Sequence, residues 1–363
     1  MRRIHFALFF LLCISPSIAA AADWQPIATA LLKSEKTGYG GLCGIVVDHQ
    51  TGDLWVNLSD RGMFRSSDQG KSWKRVSDAQ PKGRTETPGC WLIDPTGHSN
   101  KMVTALVYGS PIAVSSDQAV TWKYLDNKSS HIDWCAVDWS DPDMKFVLAL
   151  KHESGGLLLV SRDGGKTFGE VGKGYATSWV FDGQTAAVAT AVSRDSPKGK
   201  LLRTTDAGKT FKPCGDYSPV GRTSSQALPK WHAGKLYWLV DGGLIVTDDQ
   251  GATWKKIGAV KDALYGPIFG KDANHLFVLA KAGVVESTDG GISWSKPLAT
   301  PDMRAPVSDI PPQATRLSRS YPLARPKDTG NPGPLTWLEY DPTHDTLYLM
   351  RMGTDLYRLS RGQ

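Results

Sequence analysis

Long apolar runs are scarce in this sequence, and the one clear run lies near residue 1. Arg2 and Arg3 precede an apolar run from Phe6 to Leu12, and three alanines follow at 20–22. The run is too short to span a bilayer, so the pattern predicts a secretory signal peptide over residues 1–22. No other stretch stays apolar for the roughly 18 residues of a membrane-spanning helix. We therefore expect a secreted or periplasmic protein with no membrane span.

Charge of one sign and cysteine are also limited. The sequence has 42 Lys and Arg against 36 Asp and Glu, a net charge of +6, which is too weak to predict nucleic-acid binding. Of five cysteines, Cys13 lies in the predicted signal peptide. The other four are Cys43, Cys90, Cys135 and Cys214. Two interpretations of them stay open, namely buried thiols or one disulfide. They show no Cys-x-x-Cys spacing, so we expect no metal site, and no cofactor is predicted.

Several catalytic motifs are missing. The sequence contains no Gly-x-Ser-x-Gly elbow and no His-Glu-x-x-His pair, which are typical of α/β-hydrolases and zinc proteases. Three segments contain Gly-Lys-Thr or Gly-Lys-Ser, but none has the preceding glycine of a phosphate loop. These hydrolase and nucleotide-binding classes are therefore not predicted.

A short pattern, by contrast, occurs six times. It has Ser or Thr, any residue, Asp, two or three small or polar residues, then Ser or Thr and an aromatic residue. The copies are SSDQGKSW (66–73), SSDQAVTW (115–122), SRDGGKTF (161–168), TTDAGKTF (204–211), TDDQGATW (247–254) and STDGGISW (287–294). The copies follow one another every 40 to 49 residues, a period typical of four-stranded propeller blades.

The composition of each copy predicts a turn between two strands rather than a catalytic site. An Asp accepts hydrogen bonds from its own turn, and the glycine takes a left-handed backbone conformation at little cost. Six aspartates in six equivalent turns cannot all line one active site. In the second copy Ala119 replaces this glycine, so we expect a strained or differently shaped turn there.

The repeated pattern resembles the Asp box, also called the bacterial neuraminidase (BNR) repeat. This motif occurs in sialidases, sortilin-type receptors, xyloglucanases and a photosystem II assembly factor. The resemblance covers nearly the whole chain after residue 22 but specifies architecture only. The Arg-Ile-Pro motif of sialidases is absent, so sialidase activity is not expected. The segment VNLSDRGMFR (56–65) resembles the segment that carries a catalytic Asp in xyloglucanases, which implies Asp60 as a candidate.

These observations predict an all-β fold, a single seven-bladed β-propeller over residues 23–363. The boxes connect the third and fourth strands of each blade, counted A to D from the axis. A seventh blade starts at 335 and lacks a D strand, whereas residues 23–28 match the start of other D strands, with Trp24 in the place of Trp73. We expect the N-terminal strand to close the last blade and remove an open sheet edge.

Antiparallel order then determines the two faces. The A–B and C–D turns lie on one face, which we call the box face, and the B–C and D–A loops lie on the other, the loop face. The longest D–A loop is the Pro-rich, basic segment 297–334, for which we expect a role as a lid over the central channel.

Residues on the loop face are the predicted functional residues. The candidate catalytic carboxylates are Asp60, Asp133 and Glu153, because cleavage of a glycosidic bond uses two carboxyl groups. Aromatic and cationic residues suit a sugar ring and an anionic group. The candidate ligand-binding residues are Arg61, Trp91, His131, Trp134, Trp179, Arg222, Trp337 and Arg351.

Two functions compete at this point. One is a secreted carbohydrate-active enzyme, a hydrolase or a lyase that acts on an acidic polysaccharide or glycan. The other is a non-catalytic binding or assembly propeller for a glycan or an extracytoplasmic protein, because no complete catalytic motif is present. Either would be expected to act as a monomer without a nucleic-acid partner.

Overall fold

The computed structural model describes residues 23–37, 41–77, 80–85, 90–126, 129–193, 196–217, 228–303 and 336–362. Within these ranges the chain forms seven antiparallel sheets arranged as the blades of a propeller. The innermost strands of neighbouring blades contact each other around the ring, as between the first blade and both the second and the seventh. The predicted seven-bladed propeller is therefore confirmed.

The strands of the first three blades follow each other from the axis outward. Blade 1 contains β2 (Leu42–Val47), β3 (Leu54–Leu58), β4 (Gly62–Ser66) and β5 (Lys74–Arg75). Blade 2 contains β6 (Trp91–Ile93), β7 (Met102–Thr104), β8 (Ala113–Ser115) and β9 (Lys123–Tyr124). Blade 3 contains β10 (Ile132–Val137), β11 (Val147–Lys151), β12 (Leu157–Ser161) and β13 (Gly169–Gly172).

The next three blades repeat this order. Blade 4 contains β14 (Tyr175–Val180), β15 (Ala187–Ser193), β16 (Ser196–Thr204) and β17 (Lys212–Gly215). Blade 5 contains β18 (Lys230–His232), β19 (Lys235–Val240), β20 (Gly243–Thr247) and β21 (Lys255–Gly258). Blade 6 contains β22 (Ala263–Phe269), β23 (Leu276–Ala280) and β24 (Gly283–Ser287).

The fourth position of blade 6 is reduced to a single bridge between Val284 and Leu298. The first residues of the predicted insert thus lie along the edge of this blade, and Met303 is buried. The rest of the insert, with its predicted role as a lid, lies outside the described residues.

Blade 7 combines two distant parts of the chain, as the sequence predicts. It contains β25 (Thr336–Asp341), β26 (Thr346–Arg351), β27 (Leu356–Ser360) and, at its outer edge, β1 (Gln25–Pro26). Trp24 precedes β1 as Trp73 precedes β5, and each donates its indole N–H to a carbonyl of the preceding blade. The acceptors are Ala299 O at 2.8 Å and Ile27 O at 3.4 Å.

A short helix, α1 (Thr29–Glu35), follows β1 and closes the ring further. Its buried Leu31 and Leu32 pack in the apolar core between blades 7 and 1. Asp355 of blade 7 accepts a hydrogen bond from the Ala28 N–H at 2.8 Å and another from the Thr29 hydroxyl. The core of the molecule lies in such layers between adjacent sheets, because each sheet has two apolar faces to bury.

Candidate functional site

The six boxes form one repeated hydrogen-bond pattern on the box face. In the first, the Asp68 carboxylate accepts from the Ser72 N–H at 2.9 Å and from the Ser72 and Ser66 hydroxyls. The Ser66 hydroxyl oxygen accepts from the Gly70 N–H at 2.8 Å. The same bonds recur at Asp117, Asp163, Asp206, Asp249 and Asp289. The box aspartates therefore stabilise turns, as the sequence predicts.

These bonds also stabilise the ionised form of the box carboxylates. The hydroxyl four residues later, followed by the backbone and first-position hydroxyl bonds, lowers the pKa of Asp163 and Asp289 to about 2. The hydroxyl of Ser72 does the same at Asp68. A carboxylate this firmly ionised suits a turn and not a proton donor.

The second box keeps the common shape. Ala119 has φ of 68°, close to the 83° of Gly70, and its N–H donates to the Ser115 hydroxyl at 2.9 Å. The expected strain is present, since a non-glycine residue occupies a left-handed conformation. The alternative expectation of a differently shaped turn is wrong.

A cluster of ionisable side chains lies on the loop face, where blades 1, 2 and 3 meet. We call it the rim cluster; it consists of Arg84, Tyr108, His131, Asp133, His152 and Glu153. Asp133 is the second residue of strand β10, and His152 and Glu153 follow β11. Tyr108 lies in the B–C loop of blade 2, and Arg84 and His131 lie in D–A loops. Three of these residues, His131, Asp133 and Glu153, are predicted site residues, and the fold brings them together.

Hydrogen bonds connect four of these side chains in series. His152 Nδ1 lies 2.6 Å from Asp133 Oδ1, and its Nε2 lies 3.3 Å from the Tyr108 hydroxyl oxygen. The same hydroxyl donates to Glu153 Oε2 at 3.0 Å. An ionised carboxylate only accepts, so Nδ1 carries the proton shared with Asp133. The Tyr108 hydroxyl has one proton, which it donates either to Glu153 or, when Nε2 carries no proton, to His152. The series is arranged for proton transfer.

The ends of this series differ in exposure. The Asp133 and His152 side chains are 11% and 10% exposed, whereas the Glu153 side chain is 64% exposed. Tyr108 is 47% exposed although it is a large aromatic residue. The accessible end of the series therefore consists of a phenol and a carboxylate, and the shielded end is an Asp–His pair.

Two further contacts fix the Tyr108 ring. The buried Arg84 guanidinium lies over it, 4.6 Å from the ring centroid. The His131 ring meets it edge-on at 4.9 Å. A cation over an aromatic face is attracted by the electrons of the ring and stabilises negative charge that develops on the phenol oxygen.

The rim cluster also concentrates backbone strain. Tyr108, His131 and Glu153 have φ of 53°, 56° and 51°. Left-handed backbone costs a non-glycine residue about 1 kcal/mol or more and is often retained at functional sites. Similar values occur at Gln69, Gln118, Ala207 and Gln250 of the boxes, so at the rim the left-handed backbone is evidence for how the side chains are directed and not for function by itself.

The other predicted residues lie elsewhere. The backbone of Asp60 lies in a single 3₁₀ turn (Ser59–Arg61) of the loop face, but its side chain is outside the described set, as is all of Arg222. Arg61 donates to the carbonyl oxygens of Glu35 and Lys36, where α1 ends. Arg351 is buried at the end of β26.

The four predicted tryptophans are buried. Trp337 packs in the core between blades 7 and 1, and Trp91 packs between blades 1 and 2. Trp134 donates its indole N–H to Ala176 O at 2.6 Å. Trp91, Trp134 and Trp179 also line a cavity on the propeller axis.

This axial cavity has a volume of about 350 Å³. Its wall is formed by innermost strands and by A–B turns. The turns are Val47–Gln50 of blade 1 and residues 93–95, 97, 99 and 100 of blade 2. Because A–B turns lie on the box face, the mouth of the cavity is on that face. The predicted site lies on the loop face, and this cavity was not predicted from the sequence. The sequence feature that could have predicted it is the apolar and aromatic content of the strand ends, but the same feature equally predicts a buried core.

Polar groups occur on the wall of the axial cavity opposite these turns. Lys230 Nζ lies 3.4 Å from the Tyr265 hydroxyl, which also bonds to Glu339. Burial raises the pKa of Glu339, although the charge of Lys230 acts in the other direction. The surrounding protein, together with Lys230 and His232, lowers the pKa of His49 well below its ordinary 6.5. His49 and His232 are therefore neutral at neutral pH.

Sequence analysis missed Tyr108 and Arg84. Each is an ordinary loop residue, and only the bridge between Arg84 and Val107 brings the two loops together.

Among the described residues, no group of three His, Cys, Asp or Glu is arranged to hold a metal ion. No disulfide joins Cys43, Cys90, Cys135 and Cys214 in the described part of the chain, and the Cys90 thiol donates to the Asp133 carbonyl oxygen. No helix among the described residues is long and apolar enough to cross a membrane.

Comparison with known proteins supports the architecture. A family model described as the DUF6242 beta propeller domain matches residues 189–321, which is less than half of the chain. No curated protein matches the sequence. The extracellular domain of a hybrid two-component system from B. thetaiotaomicron superposes with a TM-score of 0.52 at 10% identity. That match covers 94% of this chain and 40% of the other.

Two other solved structures are similar at lower scores. YCF48 bound to a D1 peptide has a TM-score of 0.46 and 15% identity, and the match covers 94% of this chain and 97% of that chain. An ancestral GH74 enzyme has a TM-score of 0.45 and 15% identity, and the match covers 95% and 47%. At these identities a structural likeness shows the fold alone. By its own blades and by the matched family model, the chain is a β-propeller.

Proposed function

We propose that the protein is an exported, carbohydrate-active propeller that cleaves an acidic polysaccharide by β-elimination at the rim cluster. The observation that carries the proposal is the series Asp133–His152–Tyr108–Glu153, which ends in an exposed phenol. Such a series supports acid–base catalysis, in which a positioned side chain moves a proton in the transition state.

The roles of the residues follow from the geometry. Asp133 holds the His152 ring so that Nε2 accepts the phenol proton of Tyr108 once the O–H has turned from Glu153 to Nε2. The resulting phenolate, stabilised by Arg84, removes the proton from the carbon next to a uronate carboxylate. The bond from the neighbouring carbon to the glycosidic oxygen breaks, and its loss leaves a carbon–carbon double bond. Tyr108 then delivers the proton to the departing oxygen, and His152 returns its own, so no water is consumed.

Glu153 has a positioning role in this scheme. Before the proton moves, the Glu153 carboxylate accepts the Tyr108 O–H at 3.0 Å and so orients the phenol oxygen. The left-handed backbone at both residues brings the two side chains to the same point above the blades. A residue on the solvent side of the phenol also limits the angle at which a substrate approaches.

Elimination is favoured over hydrolysis by the state of Asp133. Hydrolysis of a glycosidic bond needs two carboxyl groups on either side of the sugar, about 5–9.5 Å apart. Asp133 is shielded and bonded to His152, so only Glu153 of this pair is available to a substrate. A phenol backed by an Asp–His pair suits removal of a carbon-bound proton.

The test is a panel of acidic and neutral polysaccharides incubated with the purified protein. Absorbance of unsaturated uronates reports elimination, and new reducing ends report any cleavage. We expect both signals with a uronate polymer and neither with a neutral one. Reducing ends without absorbance would replace the lyase by a hydrolase. Binding without cleavage would overturn the enzyme proposal in favour of the non-catalytic binding propeller.

A further inference from the structure

We propose that the axial cavity is a second carbohydrate site, which binds a neutral saccharide end of about one or two rings from the box face. It is separate from the rim cluster because its wall is built from innermost strands and A–B turns, while the rim cluster lies on B–C and D–A loops. The inference does not depend on the proposed lyase activity.

Aromatic surface is the first argument. Trp179 and Trp231 lie nearly parallel, with ring centroids 6.0 Å apart and an interplanar angle of 6°. Next to them, the His232 and Phe269 rings stack at 4.1 Å. Trp231 is only half-buried, so part of its surface is exposed in the cavity. Flat aromatic faces with a polar edge are suited to the C–H face of a sugar ring.

A paired cation and carboxylate provide the second argument. Lys230 and Glu339 line the cavity on neighbouring positions, and both contact the Tyr265 hydroxyl. Together they present donors and an acceptor within reach of adjacent sugar hydroxyls, and charge-assisted bonds are stronger than neutral ones. Glu339 is partly exposed to the cavity, so it is available to a ligand.

The charge balance selects a neutral ligand. Lys230 and Glu339 compensate each other, and His49 and His232 are neutral at neutral pH. The two other acids at the mouth, Asp48 and Asp94, are engaged by their own turns, Asp48 through Gln50 and Thr51 and Asp94 through Thr96 and Ser99. An anionic or cationic ligand would therefore find no uncompensated partner in this wall. The volume of about 350 Å³ is at the lower end of the range for small-molecule pockets, which limits the bound part to a saccharide end.

The test uses tryptophan fluorescence of the full chain, titrated with neutral mono- and disaccharides and, separately, with uronic acids and with an aromatic tripeptide. We expect a saturable change with at least one neutral saccharide. Trp231→Ala and Glu339→Gln should each weaken that affinity about tenfold or more. Trp294→Phe is the matched control, since Trp294 is a half-buried tryptophan of the sixth box that does not line the cavity.

Thermal unfolding of each variant separates lost binding from lost folding. If a variant does not fold, the titration is replaced by a measurement on the wild-type protein. It tests whether the saccharide protects the tryptophans from quenching by acrylamide. No response to any neutral saccharide, or a response that Trp231→Ala and Glu339→Gln leave unchanged, would overturn the proposal. A response to the tripeptide alone would assign the cavity to peptide binding instead. The variant Tyr108→Phe should bind normally, so the two proposals fail independently.

Discussion

The box turns and the rim cluster use the same backbone conformation with different residues. In five boxes glycine takes the left-handed position, and hydrogen bonds repeat from blade to blade. At the rim Tyr108, His131 and Glu153 take it, and each occurs once. A turn that must only fold can use glycine at little cost. Four boxes also have a left-handed non-glycine residue, at Gln69, Gln118, Ala207 and Gln250, so the rim differs from them in the large ionisable side chains at such positions and not in the strain itself.

The strongest test of this difference is Tyr108→Phe. Removing the phenol oxygen eliminates the group that accepts and returns the proton, so we expect cleavage of a uronate polymer to fall on the order of a thousandfold. The melting temperature should change little, because the ring and its contacts remain. Tyr124→Phe is the control, since Tyr124 is another exposed tyrosine of blade 2 with a hydrogen-bonded hydroxyl. Equal loss in both variants would contradict the role of Tyr108.

A somewhat smaller loss is expected for Asp133→Asn. Asparagine no longer provides the negative charge that orients the Nδ1–H of His152, so kcat should fall on the order of a hundredfold while KM stays similar. Steady-state kinetics with the same polymer measure both. A parallel loss of folded protein, seen by circular dichroism, would instead assign Asp133 a structural role only.

On the box side, Gly165→Ala tests whether glycine is required there. An added Cβ would lie 2.5 Å from Leu125 Cβ, and φ is 79°. We expect a loss of about 2–3 kcal/mol in the free energy of unfolding, measured with denaturant. Gly234→Ala isolates the backbone part, because Gly234 has φ of 80° and no atom within 4 Å of the added Cβ. A similar cost at both positions would show that packing adds nothing at the box.

Acid titration tests the box carboxylates as a group. Their folded pKa values, about 2 at Asp68, Asp163 and Asp289, lie below the usual 3.8. A lowered pKa contributes stability that is present above pH 4 and is lost as the pH falls toward 2. Denaturant unfolding at several pH values should show this decline, and Asp68→Asn should make it shallower. A decline that begins near pH 6 would point to other groups.

The smallest effect is expected for Ala119→Gly. Glycine relieves the left-handed strain, worth about 1 kcal/mol, but removes a buried methyl group worth about 0.8 kcal/mol. The two terms nearly cancel, so the free energy of unfolding should change by less than about 0.5 kcal/mol. A large gain would mean that Ala119 contributes little to packing, although it is fully buried.

The sequence was most informative where it repeats. Six copies of one turn, together with the strands that begin at residue 335, predict the seven blades and the strand order, and the match of Trp24 to Trp73 predicts the closure of blade 7. These features depend on local residue types at fixed spacing. The sixth blade departs from the pattern because its edge has an isolated bridge between Val284 and Leu298 in place of a fourth strand, a detail that no residue type signals.

The candidate site was predicted only in part. Asp133, His131 and Glu153 were found because strand order places them on one face. Tyr108 and Arg84 were missed because their meeting depends on the path of two irregular loops. Trp91 and Trp337 were expected to bind a ligand, but inward tryptophans here fill the layers between blades. Neither side chain is exposed, and the prediction that they bind a ligand stays untested.

The way the ring closes has a consequence for how the chain reaches this structure. Trp24, Ala28 and Thr29 bond to residues 275 to 327 positions further along the chain. Bonds between such distant segments form late, since closing a long loop costs entropy before any contact repays it. The first segment of the propeller therefore becomes ordered only after the last segment has been synthesised. Until then the ring is open, and its unpaired sheet edge is accessible to chaperones and proteases. The packing of the two-residue strand β1 and of the helix after it onto blade 7 then completes the ring and covers the open edge of that blade.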